Sequence, residues 1–472
     1  MAEESGAVRP NFPERIELGP DEVIVITGND LHLKSLLSSA WLSISACVMS
    51  ANLIFLSVGD NWIAGGSGFL GQHIIRVLQE RADGIKEIRV ADIIPYVKKL
   101  TFEEKYPVKF YQADITIEDQ LNRPFEGATC VLHCAAVVEV GHYVDREKMR
   151  SVNMIGTTNV VGKCRQWNVP KLILTSSVDA VIQKNQVFIN QSEGQTELPT
   201  KEKKFLLGYY GFTKAQSEAI VLCTRNKPMT NGKILKTAIL RPTVMYGELD
   251  PYFVPSTLKI AKMAGGYLPQ PMILQGEPVL QSTYVGNVAW AHVLAIWRLN
   301  EESKPDNKPE EWREVDGQEI FITDDTHPSM IYDFMKPFLS LKGFSLVHTP
   351  VPLFMVLFWV YSLTMALKVV PDSWKKWLQS HPLFPSYESF RLLHSAVHVS
   401  RIKSTNCLQY SPIYTENKAR ELCSEYYRDV PVWRVGRTRK NVVFVVSSNW
   451  NVLVIMLYWI EISFIFALVY LI

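Results

Sequence analysis

The chain has 472 residues, 49 Lys and Arg against 47 Asp and Glu, a net charge of +2 and an isoelectric point near 8.0. This length suits one large α/β domain with appendages, and the balanced charge, without a basic patch interleaved with aromatics, argues against nucleic acid as a partner. The seven cysteines are scattered and include no Cys-x-x-Cys pair, so neither a disulfide framework nor a metal site is expected.

The first predicted element follows a polar, acidic tail over residues 1–22, which lacks the features of a signal peptide. Residues 23–28, Val-Ile-Val-Ile-Thr-Gly, are typical of a buried parallel strand that runs into a turn. A dinucleotide-binding domain begins in this way, with a glycine-rich turn directly after the strand. Residues 29–64, which are largely apolar, intervene instead.

The glycine-rich turn comes at residues 65–71, Gly-Gly-Ser-Gly-Phe-Leu-Gly, and leads into a predicted helix from residue 72. We assign Gly65, Gly68 and Gly71 to cofactor binding, because such a turn lets the backbone and a helix N-terminus approach a pyrophosphate. Deleting residues 29–65 would join Gly28 to the rest of the turn at the required spacing.

Three interpretations of the 29–64 interruption stay open. It is translated intronic sequence, or it belongs to a splice form with impaired cofactor binding, or it loops out while residues 63–65 take over the strand end. We favour the first and expect the segment to lie outside the working fold.

Further strands alternate with helices after the turn. They are predicted at residues 87–92, 108–114, 129–136, 171–177 and 237–241. The alternation predicts an α/β fold, a Rossmann-type doubly wound parallel sheet whose ligands bind at the carboxyl ends of the strands. Asp92 ends one strand, where a carboxylate holds the ribose hydroxyls of NAD, although a solvated strand end is the alternative.

Three residues form the candidate catalytic set: Ser177, Tyr210 and Lys214. Lys214 follows Tyr210 by one helical turn, so its charge is expected to favour the phenolate. Ser177 ends a strand, where its hydroxyl can bind a reacting oxygen. Tyr-x-x-x-Lys also arises by chance, but its order after the glycine turn and Asp92 favours hydride transfer to or from an alcohol.

These motifs resemble the extended short-chain dehydrogenases/reductases, and within them the 3β-hydroxysteroid dehydrogenase/Δ5-4 isomerase family. The matching segments are residues 65–71, 113–116, 131–136, 152–157, 210–214, 240–247 and 284–292, the last being the most family-specific. The similarity extends from residue 23 to about residue 432, without the interruption.

The resemblance implies roles for individual positions. Ser177, Tyr210 and Lys214 would be the catalytic triad, with Lys214 also reaching the nicotinamide ribose. The cofactor-binding assignments it implies are Asp92, selecting NAD over NADP, Asp114 and Ile115, flanking the adenine, and Ala135 and Ala136, lining the cofactor channel. A helix N-cap is the alternative for Asp114. His133 receives no role and is expected to be a packed strand residue. Phe212 and Thr213 depart from the family pattern, and Phe212 is expected to alter substrate fit.

The expected organisation has a Rossmann domain at residues 23–245 and a smaller C-terminal substrate lobe at 246–440. Membrane-associated segments are expected at 351–370, lying in the interface, and at 441–472, an anchor whose basic flank stays cytosolic. We therefore expect residence in the endoplasmic reticulum membrane with a cytosolic catalytic domain. The resemblance implies a sterol or steroid substrate, contact with membrane lipid, and NAD as cofactor. Oligomeric state, including a homo-oligomer, stays open.

The leading functional hypothesis is NAD-dependent oxidation of a 3β-hydroxysterol to the 3-keto product, with Δ5-Δ4 isomerisation left open. The alternatives are a sterol-4-carboxylate 3-dehydrogenase, whose keto product decarboxylates, and a catalytically impaired binding protein whose cofactor turn is interrupted. A nucleotide-sugar reductase is disfavoured by residues 284–292 and by the apolar segments.

Overall fold

The computed structural model describes residues 12–28, 62–64, 66–140, 144–184, 186, 188–271, 279–307, 309–349, 364, 367, 370–375, 392 and 395–432. Its strands are β1 (Ile16–Thr27), β2 (Trp62–Ala64), β3 (Ala82–Asp92), β4 (Val108–Gln112), β5 (Cys130–His133), β6 (Ala136–Val138), β7 (Lys171–Thr175), β8 (Phe188–Gln191), β9 (Lys236–Pro242), β10 (Val244–Tyr246), β11 (Tyr267–Pro271), β12 (Ser282–Tyr284), β13 (Gln318–Ile322), β14 (Ser345–Thr349) and β15 (Val397–Val399).

The helices are also numbered in chain order. They are α1 (Phe69–Arg81), α2 (Asn122–Phe125), α3 (Arg146–Met149), α4 (Thr157–Gln166), α5 (Tyr209–Leu222), α6 (Phe253–Met263), α7 (Val285–Glu301), α8 (Ile331–Leu341), α9 (Ile402–Leu408) and α10 (Glu416–Asp429). A π-helix, Arg150–Gly156, joins α3 to α4.

The central sheet has seven parallel strands in the order β13-β9-β7-β5-β1-β3-β4. β1 lies between β3 and β5, with Ile24 opposite Ile88 on one side and Cys130 on the other. The strand order reverses at β1, which is the topological switch point where ligands bind in such sheets. The predicted α/β Rossmann-type doubly wound sheet is confirmed.

Both faces of the sheet are covered, which explains the continuous apolar run of β1. Ile24 and Ile26 belong to the core that β1 shares with α1 and α7, whereas Val23 and Val25 belong to the core shared with α4 and α5. All four side chains are almost fully buried. A strand buried on both faces gains stability from every residue, so the pattern is apolar rather than alternating.

The residues predicted to form the substrate lobe, 246–440, do not all lie outside the central sheet and its layers. α6, α8 and α10 pack together beyond the sheet, and Tyr427 of α10 donates a hydrogen bond to the Gly247 carbonyl at 3.0 Å. However, α7 packs against the central sheet and β13 pairs with β9 at its edge, although both follow residue 246. The chain therefore returns to the first domain after the predicted boundary.

The apolar segments fall mostly outside this description. Residues 36–58 and 442–472 lie outside the described residues, as does most of 351–370. Within the part of the chain that the structure describes, no helix is both long enough and apolar enough to cross a membrane.

Candidate active site

The two ends of the sequence interruption meet at the carboxyl end of β1. The Gly28 N–H donates to the Ala91 carbonyl at 2.5 Å, which holds Gly28 in line with β1. A Cβ atom on Gly28 would overlap the Gly66 nitrogen and the Asp92 carboxylate, and one on Gly66 would lie 2.7 Å from the Ile26 carbonyl oxygen. Only glycine fits at either position. Gly66 therefore lies directly beside Gly28, at the end of β1.

β2, at the far end of the interruption, does not replace the end of β1. It pairs antiparallel with β6, with Ala64 opposite Ala136 and Trp62 opposite Val138. The interpretation in which residues 63–65 take over the strand end is therefore wrong, because β1 itself lies between β3 and β5. β2 occupies the backbone edge of Ala136, which is predicted to line the cofactor channel.

Two of the three glycines assigned to cofactor binding, Gly68 and Gly71, lie within the described residues. Gly68 precedes α1 as its N-cap, and Gly71 lies in the first turn of the helix. Gly65 lies outside the described residues. The α1 N-terminus thus starts at the switch point of the sheet, where the predicted pyrophosphate site should be.

Asp92 lies at the end of β3 beside this turn and is fully buried. Its carboxylate accepts hydrogen bonds from the Ser67 N–H at 2.8 Å and the Ile94 N–H at 3.1 Å. Asp92 is therefore not at a solvated strand end, which was the alternative interpretation. The carboxylate is engaged with the backbone of the turn, beside the predicted ribose site.

Asp114 and Ile115 follow β4, as predicted. Asp114 is half-buried, and its Oδ1 accepts from both the N–H and the hydroxyl of Thr116, so it closes a tight turn rather than capping a helix. Ile115 is fully buried against Gly156, where a Cβ atom would come within 2.5 Å of the Ile115 Cδ1. Its side chain is therefore part of the core.

The three predicted catalytic residues come together at the carboxyl edge of the sheet. Tyr210 is the second residue of α5, Lys214 follows one turn later, and Ser177 comes just after β7. Ser177 lies beside the Tyr210 phenol and acts to lower the pKa of that phenol, against the larger effect of burial, which raises it. The Lys214 Nζ donates to the Thr175 carbonyl at 2.7 Å. Burial lowers the pKa of Lys214 to about 8.

Asp179 is a site residue that the sequence reasoning missed. Ser177 Oγ donates to Asp179 Oδ2 at 2.7 Å, and the Asp179 N–H donates back to Ser177 Oγ at 3.2 Å. Burial raises the pKa of the Tyr210 phenol, and the neighbouring Asp179 charge raises it further. The Asp179 charge thus opposes the ionisation of this phenol that Lys214 is expected to favour. An acid two residues after the strand-end serine was the available signal.

Asn153 is a second missed residue, inside a motif quoted only for its resemblance. It lies in the π-helix, a form often found at functional sites. Its side chain accepts from the Val137 N–H at 2.7 Å and donates to the Val137 carbonyl at 3.0 Å and to Thr213 Oγ1 at 2.9 Å. Asn153 therefore fixes β6 against α5, the helix that carries Tyr210 and Lys214.

His292, from the most family-specific motif, supports Lys214 indirectly. Its Nδ1 contacts the Val288 carbonyl at 2.8 Å and its Nε2 contacts Thr175 Oγ1 at 2.7 Å. Burial lowers the pKa of His292 to about 4, so the ring is neutral, and Nδ1–H donates while Nε2 accepts. The strand end whose carbonyl binds Lys214 is thereby held in place.

The remaining predictions concern packing. His133 lies 2.9 Å from both Thr27 Oγ1 and Thr157 Oγ1, and burial lowers its pKa to about 3, so it is the packed strand residue expected. Ala135 and Ala136 are buried directly after β5. Phe212 packs against Tyr209 and Phe205.

The sheet order, the turn at its switch point and the Ser-Tyr-Lys arrangement define an extended short-chain dehydrogenase/reductase. Residues 62–353 match the sequence model of the 3-beta hydroxysteroid dehydrogenase/isomerase family. The match covers more than half of the chain, which therefore belongs to this family. It begins at β2, so β1 lies outside the matched range.

Solved structures share the fold at low sequence identity. UDP-glucose 4-epimerase from Thermotoga maritima, solved with UDP-glucose, is 19% identical with a TM-score of 0.52, over 77% of this chain and 97% of that one. The Thermus thermophilus UDP-glucose 4-epimerase complex with NAD is 20% identical with a TM-score of 0.51, over 78% and 98%. Helicobacter pylori ADP-L-glycero-D-manno-heptose-6-epimerase is 15% identical with a TM-score of 0.52, over 88% and 98%.

Proposed function

We propose that this protein oxidises a 3β-hydroxysterol to its 3-keto product with NAD. The observation that carries the proposal is the convergence of Ser177, Tyr210 and Lys214 beside the switch point of the sheet. Membership of the 3-beta hydroxysteroid dehydrogenase/isomerase family supports the substrate class. NAD-bound structures with this fold, such as the Thermus thermophilus epimerase, support the cofactor.

The residues at the switch point fit a dinucleotide. Gly28 and Gly66 leave no room for a side chain, Gly68 opens α1 towards the same point, and the buried Asp92 carboxylate can bind ribose hydroxyls. Bound NAD supplies the hydride acceptor. A carboxylate also disfavours the 2′-phosphate of NADP, since two negative charges would share one buried site.

The side chains account for the proton and the hydride. In the oxidation, the carbinol C–H and O–H bonds would break as the carbonyl forms, with Tyr210, as a phenolate, taking the proton and bound NAD serving as the hydride acceptor. Ser177, which lies beside the Tyr210 phenol, would orient the reacting oxygen. Lys214, fixed on the Thr175 carbonyl, brings a positive charge to the same edge.

The test uses the full chain in microsomes with NAD and a panel of 3β-hydroxysterols, followed by mass spectrometry of the products. We expect a 3-keto product that depends on NAD and disappears with Tyr210→Phe. UDP-glucose serves as the control for the nucleotide-sugar chemistry of the structural neighbours. Conversion of UDP-glucose with no sterol product would overturn the proposal. Appearance of a conjugated enone would add isomerisation of a 5,6 double bond.

A second candidate, a catalytically impaired binding protein, is favoured by one observation. β2 pairs with the backbone of β6 at the predicted cofactor channel, and the phosphate-binding turn is interrupted in sequence. NAD affinity measured by calorimetry separates the two candidates. Binding with a dissociation constant in the micromolar range supports the enzyme, whereas absence of binding by a folded chain supports the impaired form.

We also propose residence in the endoplasmic reticulum membrane with a cytosolic catalytic domain. The support is the sequence of residues 442–472, whose only charge is Glu461, and the basic flank before it. Truncation after Lys440 should weaken retention in microsomes. Protection of the catalytic domain from added protease in intact microsomes would contradict this topology.

A further inference from the structure

Asp179 contacts Ser177 but is not one of the three proposed catalytic residues. It is 9% exposed, and its Oδ2 accepts the Ser177 hydroxyl. Its Oδ1 is buried and has no hydrogen-bond partner among the described residues. A buried carboxylate oxygen that lacks a partner is costly, so this position calls for a functional explanation.

The charges around Asp179 are already balanced. Burial raises its pKa to about 6, so the carboxyl is mostly ionised at pH 7.5. Lys214 is the cation that acts on it, and Lys214 also interacts with Glu218. Glu218 is paired with Arg241 through two hydrogen bonds of 2.7 and 2.8 Å. A further anion at Ser177 would therefore lie close to the Asp179 carboxylate, while Lys214 already interacts with both Asp179 and Glu218.

We propose that Asp179 is a specificity-determining residue that disfavours substrates with a carboxylate on the carbon next to the carbinol, and so selects neutral 3β-hydroxysterols. This inference rests on the proposed function. It distinguishes the two substrate classes considered from the sequence, neutral 3β-hydroxysterols and sterol 4-carboxylates. It assigns the neutral substrate class and argues against a sterol-4-carboxylate 3-dehydrogenase.

The geometry gives the reason. The reacting hydroxyl binds at Ser177 and Tyr210, and Ser177 Oγ is 2.7 Å from the Asp179 carboxylate. A carboxylate on the adjacent carbon would lie close to that hydroxyl, so it would approach the Asp179 carboxylate, which is itself buried. Like charges at close approach repel strongly enough for about 10-fold to 100-fold discrimination.

The experiment compares two substrates that differ in one group. The full-length protein is assayed at pH 7.5 with NAD and either a 4-methyl-3β-hydroxysterol or its 4-carboxy counterpart. We expect kcat/KM for the methyl compound to exceed that for the carboxy compound by about tenfold or more. Asp179→Asn, which keeps the size and one acceptor, should reduce this ratio by about fivefold or more.

Asp250→Asn is the matched control. Asp250 is also a buried carboxyl whose pKa burial raises to about 6, but it accepts from the Val254 N–H and acts on Tyr427. Its substitution should leave the ratio unchanged. If Asp179→Asn does not fold, Asp179→Ser is used, with circular dichroism and NAD binding as the criteria of folding.

The outcomes separate the inference from the proposed function. Oxidation of the 4-carboxy sterol at least as efficiently as the methyl sterol would overturn the inference and leave a sterol dehydrogenase. An unchanged ratio in folded Asp179→Asn would overturn it too. Oxidation of neither sterol by the wild type would overturn the proposed function, and the inference with it.

Discussion

The proposed catalytic corner and the proposed phosphate-binding turn lie on the same edge of one sheet, yet they are built in different ways. Ser177 follows β7, Tyr210 and Lys214 lie on α5, and contacts between distant segments bring them together. The turn instead requires that β1 pass directly into it, and residues 29–64 separate the two. Tertiary packing tolerates sequence between elements, whereas a turn that cradles a phosphate depends on chain continuity.

The sharpest test of the catalytic corner is Tyr210→Phe. The substitution removes one hydroxyl without opening a cavity, so oxidation should fall by about 10²–10⁴-fold, as is typical of a lost general acid–base group. NAD binding should change little, because the turn is untouched. Steady-state kinetics and calorimetry check both points. Retention of most activity would exclude Tyr210 as the catalyst.

Joining Gly28 to Gly66 by deleting residues 29–65 tests the turn. The deletion protein should bind NAD about tenfold more tightly or better, because a restored hydrogen bond to a charged phosphate is worth about 1.5–3 kcal/mol. It should also be more soluble. Calorimetry on both forms makes the comparison. Equal affinity, together with detection of a natural peptide covering the segment, would show that residues 29–64 belong to the working protein.

The preference for NAD over NADP tests the role of Asp92, which lies beside the turn. We expect the Michaelis constant for NAD to be lower than that for NADP by about tenfold, since a buried carboxylate disfavours a 2′-phosphate. Asp92→Asn should narrow the difference, whereas Asp114→Asn should leave it unchanged. Kinetics with both cofactors decide. A lower Michaelis constant for NADP in the wild type would contradict the assignment.

The smallest expected effect concerns stability at the catalytic corner. The folded-state pKa of Asp179, about 6, lies above its ordinary value of 3.8, so the ionised form is disfavoured by folding. Asp179→Asn should therefore stabilise the protein above pH 6, with the gain fading as pH falls towards 4. The shift sets a limit of about 3 kcal/mol, and we expect about 1 kcal/mol because the Ser177 bond weakens.

Urea unfolding at pH 4 and pH 8 measures this difference. Asp83 is the control of opposite sign, because Arg15 and Lys105 lower its pKa to about 2. Asp83→Asn should lose stability at pH 8 and lose less at low pH. Equal stability of Asp179→Asn and wild type at pH 8 would indicate that the Asp179 charge is better solvated than its burial implies.

The sequence predicted the sheet and pointed to Ser177, Tyr210 and Lys214 as candidates, because strand patterns and the spacing of residues on one helix are local features. Buried strands have apolar runs and end at polar residues, and Tyr210 and Lys214 are one turn apart on one helix. The prediction missed Asp179 and Asn153, because their roles depend on which elements pack against them. Nothing local shows that Asn153 reaches β6 and α5 at once.

The domain boundary and the fate of the interruption were harder to predict from the sequence, because both depend on tertiary contacts. That β13 joins the main sheet after the substrate lobe has begun is a property of the tertiary fold. The sequence did show that residue 28 could be joined to residue 66, since the glycine spacing was visible. Which of β1 and residues 63–65 would hold the central position depended on pairing with β3 and β5.

The meeting of Gly28 and Gly66 bears on how the two chain lengths can be told apart in practice. Gly28 and Gly66, on either side of the interruption, already lie together, so a direct join between them needs little movement of the described residues around it. A melting temperature measured without ligand compares only the stabilities of the two forms. A melting shift that grows with added NAD reports binding directly, so a ligand-dependent thermal assay separates the forms where expression level and fold integrity do not.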